Sequence, residues 1–168
     1  MKQSKILFII LVFIWCSMIF LFSDKTSKES NATSKKIIEF TAVETAKVTN
    51  KINLTNIDTN NQSWRKKIVN TWNLPIRKIA HATIYFILSI LFYLFLISMK
   101  INPKKAIFWT IAFCFLYSTT DEIHQTFVLE RTGQLLDCMI DTLGAVIGSI
   151  LIYQITKNNK VISKENLI

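Results

Sequence analysis

Four apolar stretches constrain this chain more than any other feature. Residues 6–22 carry no charge. Residues 79–99 have His81 and tyrosines as their only titratable groups. Residues 106–120 are uncharged up to Asp121, and residues 138–156 hold a single charge, Asp141. A helix needs about 20 apolar residues, within a range of about 17–25, to cross roughly 30 Å of hydrocarbon. The first, second and fourth stretches meet that length. The third is short and extends through its polar end to about Gln125. Lipid offers no partner to exposed backbone, so such segments must be helical. The predicted fold is an all-α membrane protein with about four transmembrane helices and a long extracytoplasmic loop between the first and second. Residues 1–23 form the first span, residues 24–74 a polar loop with an amphipathic interfacial segment, residues 75–156 a core of three spans, and residues 157–168 a basic cytoplasmic tail. The basic start (Lys2, Lys5) would also suit a signal peptide, but Phe20, Leu21 and Phe22 stand where a small-residue cleavage site is needed. Cys16 follows Trp15, which does not fit a lipoprotein site, so the first helix is read as retained.

Composition agrees with a membrane protein. The chain is 51% hydrophobic and 18% charged, with a mean hydropathy of +0.34 and few Gly or Pro, where soluble domains hold about 25% charge. Collagen-like, low-complexity and wholly disordered chains have the opposite balance. Three cysteines, two of them in apolar runs, do not make a disulfide scaffold. The net charge of +9 would suggest nucleic acid in a soluble domain, but the placement of the charge argues otherwise. Lys2, Lys5, Lys100, Lys104, Lys105, Lys157, Lys160 and Lys164 flank one side of the four spans, and Arg131 is the sole basic residue in the connection between spans three and four. Basic residues in short connections mark the cytoplasmic side. The expectation is a multi-pass protein of the cell membrane with both termini cytoplasmic, and no nucleic-acid partner. The remaining 11 basic residues lie between the first two apolar stretches, over residues 23–78, and connections of that length translocate with little regard to charge.

Within that loop, residues 23–49 are rich in Ser, Thr and Lys, with a weak helical pattern in Ile37, Thr41 and Val48 and in Ile38, Ala42 and Thr45. An Asn-rich linker follows over residues 50–61. Trp64, Ile68 and Trp72 then recur every fourth residue with Arg65, Lys66 and Lys67 between them. This is an amphipathic segment with aromatic anchors, suited to the membrane interface. Two uses are open: attraction to anionic lipid or a cell-wall polymer, or a solvated helix over the mouth of the bundle.

Because successive spans alternate direction, the start of span two, the end of span three and the start of span four share one side of the membrane. The unusual polar residues fall there. Arg77, His81, Tyr85 and Leu88 share one helix face. Tyr117, Asp121 and His124 share another, with Gln125 beside them and Glu122 turned about 100° away. Glu130, Arg131 and Gly133 lie in the connection, and Asp137, Asp141, Gly144 and Gly148 form one stripe. Gly144 and Gly148 make a small-xxx-small pattern that lets helices approach closely. A charged carboxylate inside a span costs roughly 2.5–3.5 kcal/mol even on the lenient insertion scale. Asp141 should therefore face the bundle and have a partner, with Arg131, Arg77, His81 and His124 as candidates.

Several chemistries fit such a cluster. Asp121 or Asp137 paired with His124 or His81 suits general acid–base catalysis. No cofactor is expected outright, but Asp121, His124, Asp137 and His81 together would suit a divalent, hard metal ion; their spacing matches no standard zinc motif. Arg77 and Arg131, with Glu122, Gln125 and Asp141, would recognise a polar or anionic headgroup. Ser118, Thr119 and Thr120 lack the strand-to-helix setting of a catalytic serine. A network that only holds three helices in register is the plainer alternative.

The motifs Arg77-Lys78-x-Ala80-His81, Asp121-Glu122-x-His124-Gln125-x-Phe127, Arg131-x-Gly133 and Asp137-x3-Asp141-x2-Gly144-x3-Gly148 resemble the VanZ-like family from Arg77 to Gly148. The family usually has a Pro-Gly-like turn where this chain has Leu129-Glu130, and a run of serines where it has Phe22-Ser23-Asp24. The resemblance implies a small multi-span bacterial membrane protein, in a family named for a member that lowers susceptibility to teicoplanin-type lipoglycopeptides and for which no reaction is established. The Lys-, Asn- and Ile-rich composition suits a Gram-positive host. Three functions compete: a surface factor that alters lipoglycopeptide access, a membrane-embedded enzyme acting on a lipid headgroup, and a structural or partner-binding protein. The partners implied are membrane lipids and a cell-wall precursor, an envelope polymer or the lipoglycopeptide itself.

Overall fold

The computed structural model describes residues 2–24, 27–51, 62–128 and 133–165. These are helical, without a strand among the described residues: α1 (Lys2–Ser23), α2 (Ser27–Lys51), α3 (Gln62–Ser98), α4 (Pro103–Gln125) and α5 (Leu135–Glu165). Contacts divide the chain into two units, Met1–Asp24 with Ala80–Ile168, and Lys25–Ile79.

The first unit is apolar outside and carries polar side chains within its core. Phe13 and Leu21 of α1, Phe108 and Leu116 of α4, and Leu143 and Ile147 of α5 are exposed, while Ser89, Thr110, Ser118, Asp121, Asp141 and Ser149 are buried. Water would favour the reverse arrangement, and lipid favours this one. Three helical segments are long and apolar enough to cross a membrane: Gln3–Ser23, Lys66–Ser98 and Leu135–Asn158. They are compatible with a multi-pass membrane protein. The third predicted span forms α4, a helix of 23 residues and so about 35 Å long. Its mean composition is too polar for the same class, because Lys104 and Lys105 open it and Ser118, Thr119, Thr120, Asp121 and Glu122 lie near its end.

Side chains lock these helices together. Trp15 of α1 donates its indole N–H to the carbonyl of Ile84 in α3 at 3.0 Å, and Tyr117 of α4 donates its hydroxyl to the carbonyl of Cys16 at 2.6 Å. Phe92 of α3 stacks on Phe113 of α4 with centroids 4.1 Å apart. Around these bonds Val12, Ile19, Tyr85, Leu88, Cys114 and Ala145 form the core. The α3–α4 connection is tight. Lys100 adopts φ 64°, and the amides of Lys100 and Ile101 bond back to the carbonyls of Ile97 and Leu96, a Schellman cap with lysine where glycine is usual. Asn102 then caps α4 by accepting the Lys104 amide at 3.0 Å, with Pro103 in the first helical position.

The close α3–α5 approach depends on glycine. A Cβ on Gly144 would run into the carbonyl oxygen of Ala82, and one on Gly148 into Ser89 Oγ and, at 2.6 Å, the carbonyl oxygen of Phe86. The small-xxx-small pattern thus works as expected, with α3 as the neighbour.

The second unit holds α2 and the beginning of α3. The weak helical pattern over residues 23–49 forms α2. Ile38 is its buried residue, and Ile37 and Phe40 are exposed. Asn31 Oδ1 accepts from Asn73 Nδ2 and from the Arg77 guanidinium, each at 3.0 Å. The stretch from Trp64 to Trp72 forms no separate interfacial helix, because α3 runs from Gln62 through Pro75 to Ser98. Proline costs that helix one backbone hydrogen bond without ending it. Trp72 is exposed; the side chains of Trp64 and Arg65, and residues 52–61 of the Asn-rich linker, lie outside what is described.

Gly144→Ala should destabilise the detergent-solubilised protein by about 1–3 kcal/mol, because the new methyl meets backbone that cannot rotate away. Ile147→Ala, on the exposed face, should change the melting temperature little. Equal melting of the two variants would remove the glycine from this role.

Candidate functional site

The centre of the polar cluster is Asp141 in the second turn of α5, with no exposed surface. Ser118 of α4 donates its hydroxyl to Asp141 Oδ2 at 2.7 Å, and His81 of α3 places Nδ1 3.9 Å from Asp141 Oδ1. Three helices therefore meet on one carboxylate. The histidine is 28% exposed and the acid 0%, so His81 lies between the buried acid and the surroundings. Ser118 Oγ is also 3.5 Å from Cys138 Sγ. It has one proton to give, and the carboxylate is the stronger acceptor. Tyr85, one turn along α3 from His81, is buried with its hydroxyl toward Ser118.

The face of α4 that turns inward is Thr110, Cys114, Ser118, Asp121, Glu122 and Gln125. This differs from the expected face of Tyr117, Asp121 and His124. Tyr117 and His124 are half-buried and turn toward α1, where Tyr117 bonds Cys16 and the His124 ring lies 4.5 Å from that of Phe20. Asp121 accepts from Gln125 Nε2 at 3.1 Å. Glu122, expected to point away from the cluster, is buried: its Oε2 accepts the backbone N–H of Gln134 at 2.8 Å and ties the connection to the end of α4. Gly133 completes that seat, since a Cβ there would meet the Glu122 carbonyl oxygen at 2.5 Å. Asp137 is half-buried in the first turn of α5, where a negative charge complements the helix dipole.

Of the nine expected site residues, the first unit brings His81, Asp121, Glu122, Gln125, Asp137 and Asp141 around the meeting of α3, α4 and α5. His124 packs on α1. Arg77 belongs to the second unit and bonds Asn31. Arg131 lies outside the described residues. Ser118 was visible in the sequence only as a failed nucleophile. Its spacing from Asp121 and Gln125, three and then four residues, is the signal that puts it on the inner face. Among the described residues no three His, Cys, Asp or Glu side chains are placed to hold a metal ion. The serine donates to the aspartate and not to the histidine, unlike a Ser-His-Asp triad.

Ser118→Ala should leave a buried carboxylate oxygen without its donor and cost about 1–3 kcal/mol, read as a lower melting temperature in detergent. Thr120→Ala is the control, since the exposed Thr120 hydroxyl bonds its own helix at the Tyr117 carbonyl. The assignment fails if both variants melt together.

No curated protein and no solved structure matches the chain. The VanZ/LLP1 family model does, over residues 8–157, which takes in most of α1, all of α2 to α4, the polar cluster and most of α5; the chain belongs to the VanZ/LLP1 family.

Proposed function

We propose that this VanZ-family protein crosses the cell membrane four times, with both termini cytoplasmic, and that its polar cluster faces the extracytoplasmic side, where it lowers susceptibility to teicoplanin-type lipoglycopeptides. The observation that carries this reading is the fully buried Asp141 with the part-exposed His81 beside it. A carboxylate is costly inside a span, and its histidine partner is reachable from outside the bundle. The surface of α4 supports the fourth span. Phe108, Trp109, Phe115, Leu116 and Ile123 are exposed, while the polar residues that lower its mean hydropathy are buried. Lipid would meet the first group and not the second. The His81–Asp141 pair also favours a second reading, general acid–base work on an envelope lipid headgroup.

The span count is tested by fusing green fluorescent protein, which matures only in the cytoplasm, to either end of the full chain. Four spans make both fusions fluoresce. Three spans leave one end dark and overturn the reading.

The role is tested by teicoplanin susceptibility of a sensitive Gram-positive strain expressing the wild type, His81→Ala, Asp141→Asn or empty vector, with membrane levels matched by immunoblot. Protection by the wild type that is lost in both variants at equal level is the expected result. Protection retained by both variants removes the cluster from the role, and no protection by the wild type removes the role itself.

A further inference from the structure

The basic, aromatic stretch at the start of α3 has no part in the polar cluster, and one of its faces is open. Ile68, Trp72, Pro75 and Ile79 are spaced by 4, 3 and 4 residues and so share one side of the helix. Trp72 is 53% exposed and Ile79 62%. Lys67, Thr71, Leu74 and Lys78 repeat that spacing one position earlier, about 100° around the helix. Leu74 is 60% exposed, and Lys67 is exposed as well. Helix α2 is held elsewhere. Asn73 and Arg77, one turn apart on α3, bond Asn31 of α2, and this packing leaves Trp72 and Leu74 uncovered.

Length and charge select what covers this face. The part of α3 long and apolar enough to cross a membrane is Lys66–Ser98, 33 residues, or about 50 Å as a helix. The hydrocarbon is about 30 Å thick, and residues 79–99, without Lys, Arg, Asp or Glu, are enough to fill it. The surplus carries Trp72 and Leu74. It belongs at the level of the lipid headgroups, where tryptophan is favoured. The second unit, Lys25–Ile79, has 11 Lys or Arg against 4 Asp or Glu, and Lys66 and Lys67 are exposed at the start of the face. Lysines beside a membrane attract anionic headgroups, and their stems can lie along apolar surface while the ammonium stays in water. A polyanionic cell-wall polymer would satisfy the lysines and leave Trp72, Leu74 and Ile79 in water. An anionic lipid surface takes both groups.

We propose that the open face of α3 formed by Lys67, Ile68, Trp72, Leu74 and Ile79 docks on an anionic phospholipid surface, with Lys66 and Lys67 at the headgroup phosphates. This rests on α3 crossing the membrane and is independent of what the polar cluster does. Lipid charge then holds the second unit at the membrane surface, and loss of that charge releases it.

The test uses the full chain in nanodiscs whose lipids carry bromine on the acyl chains next to the headgroup, a short-range quencher of tryptophan. The emission of the wild type minus that of Trp72→Phe isolates Trp72 from Trp15, Trp64 and Trp109. In phosphatidylcholine mixed with phosphatidylglycerol, Trp72 should be quenched about threefold more than in phosphatidylcholine alone, and the difference should shrink in high salt. Lys66→Gln combined with Lys67→Gln, at two exposed positions, should bring quenching down to the phosphatidylcholine level. Trp72 left unquenched in both lipids overturns the docking. Equal quenching in the two lipids, or a phosphatidylglycerol effect kept by the double variant, overturns the anionic surface. Trp72 that escapes quenching but shifts its emission when soluble poly(glycerol phosphate) is added assigns the face to a cell-wall polymer and overturns the lipid. The readout is separate from the reporter fusions and from drug susceptibility, so failure of this face leaves the span count and the cluster standing, and their failure is read elsewhere.

Discussion

One carboxylate organises this helical bundle. Asp141 has no exposed surface and sits in a helix apolar enough to cross lipid. An isolated charge there is costly, so the fold must bring it partners. Ser118 arrives from α4 and His81 from α3. The α3 approach depends on the glycine at position 144, one turn beyond the acid, which lets the α5 backbone come against Ala82, the neighbour of His81. The glycine stripe and the acid therefore act together: close packing makes the polar contact possible, and the polar contact makes burial of the acid tolerable.

That coupling explains which parts of the structure were legible in the sequence. The apolar runs identify the helices, because length and absence of charge are one-dimensional properties. The glycine spacing identified α5's packing face correctly, because only one face of that helix carries small residues. The inner face of α4 was harder. Tyr117, Asp121 and His124 share a face as plausibly as Ser118, Asp121 and Gln125 do, and the choice is made by the neighbours. Cys16 presents a carbonyl that takes Tyr117, Phe20 a ring that takes His124, and Asp141 a carboxylate that takes Ser118. Helical periodicity sets the angle between residues but not the rotation of the helix against its partners. Glu122 was misplaced for a related reason. Its destination is the Gln134 amide across the connection, and helix spacing says nothing about how the chain folds back. Pro75 sits beside the loop boundary placed at residue 74, yet α3 continues through it, since one lost backbone bond is a modest cost within a long helix.

The roles of the ionisable residues also separate by position. Glu122 and Asp121 are bound to the end of α4 and its connection, Asp137 opens α5, and Arg77 braces Asn31 against Asn73 on its own unit. These are the contacts of residues that hold backbone in place. His81 and Asp141 differ, because they face each other across two helices and the histidine keeps 28% of its surface exposed beside the fully buried acid. The cluster thus divides into residues that bond within or next to α4 and the His81–Asp141 pair that joins α3 to α5.

The composition of α4 follows from that division. A helix that lines a polar site cannot be uniformly apolar, and averaging hydropathy along it mixes two surfaces that meet different solvents. Phe108, Leu116 and Ile123 are exposed, and Thr110, Ser118 and Gln125 are buried. The low mean is the mark of a helix that carries the site in its interior face, and the more polar its inner residues become, the less it resembles a span while its outer surface stays as apolar as before. In a bundle this small, the segment that departs most from a uniform span is the one whose inner face supplies Ser118 to the buried acid.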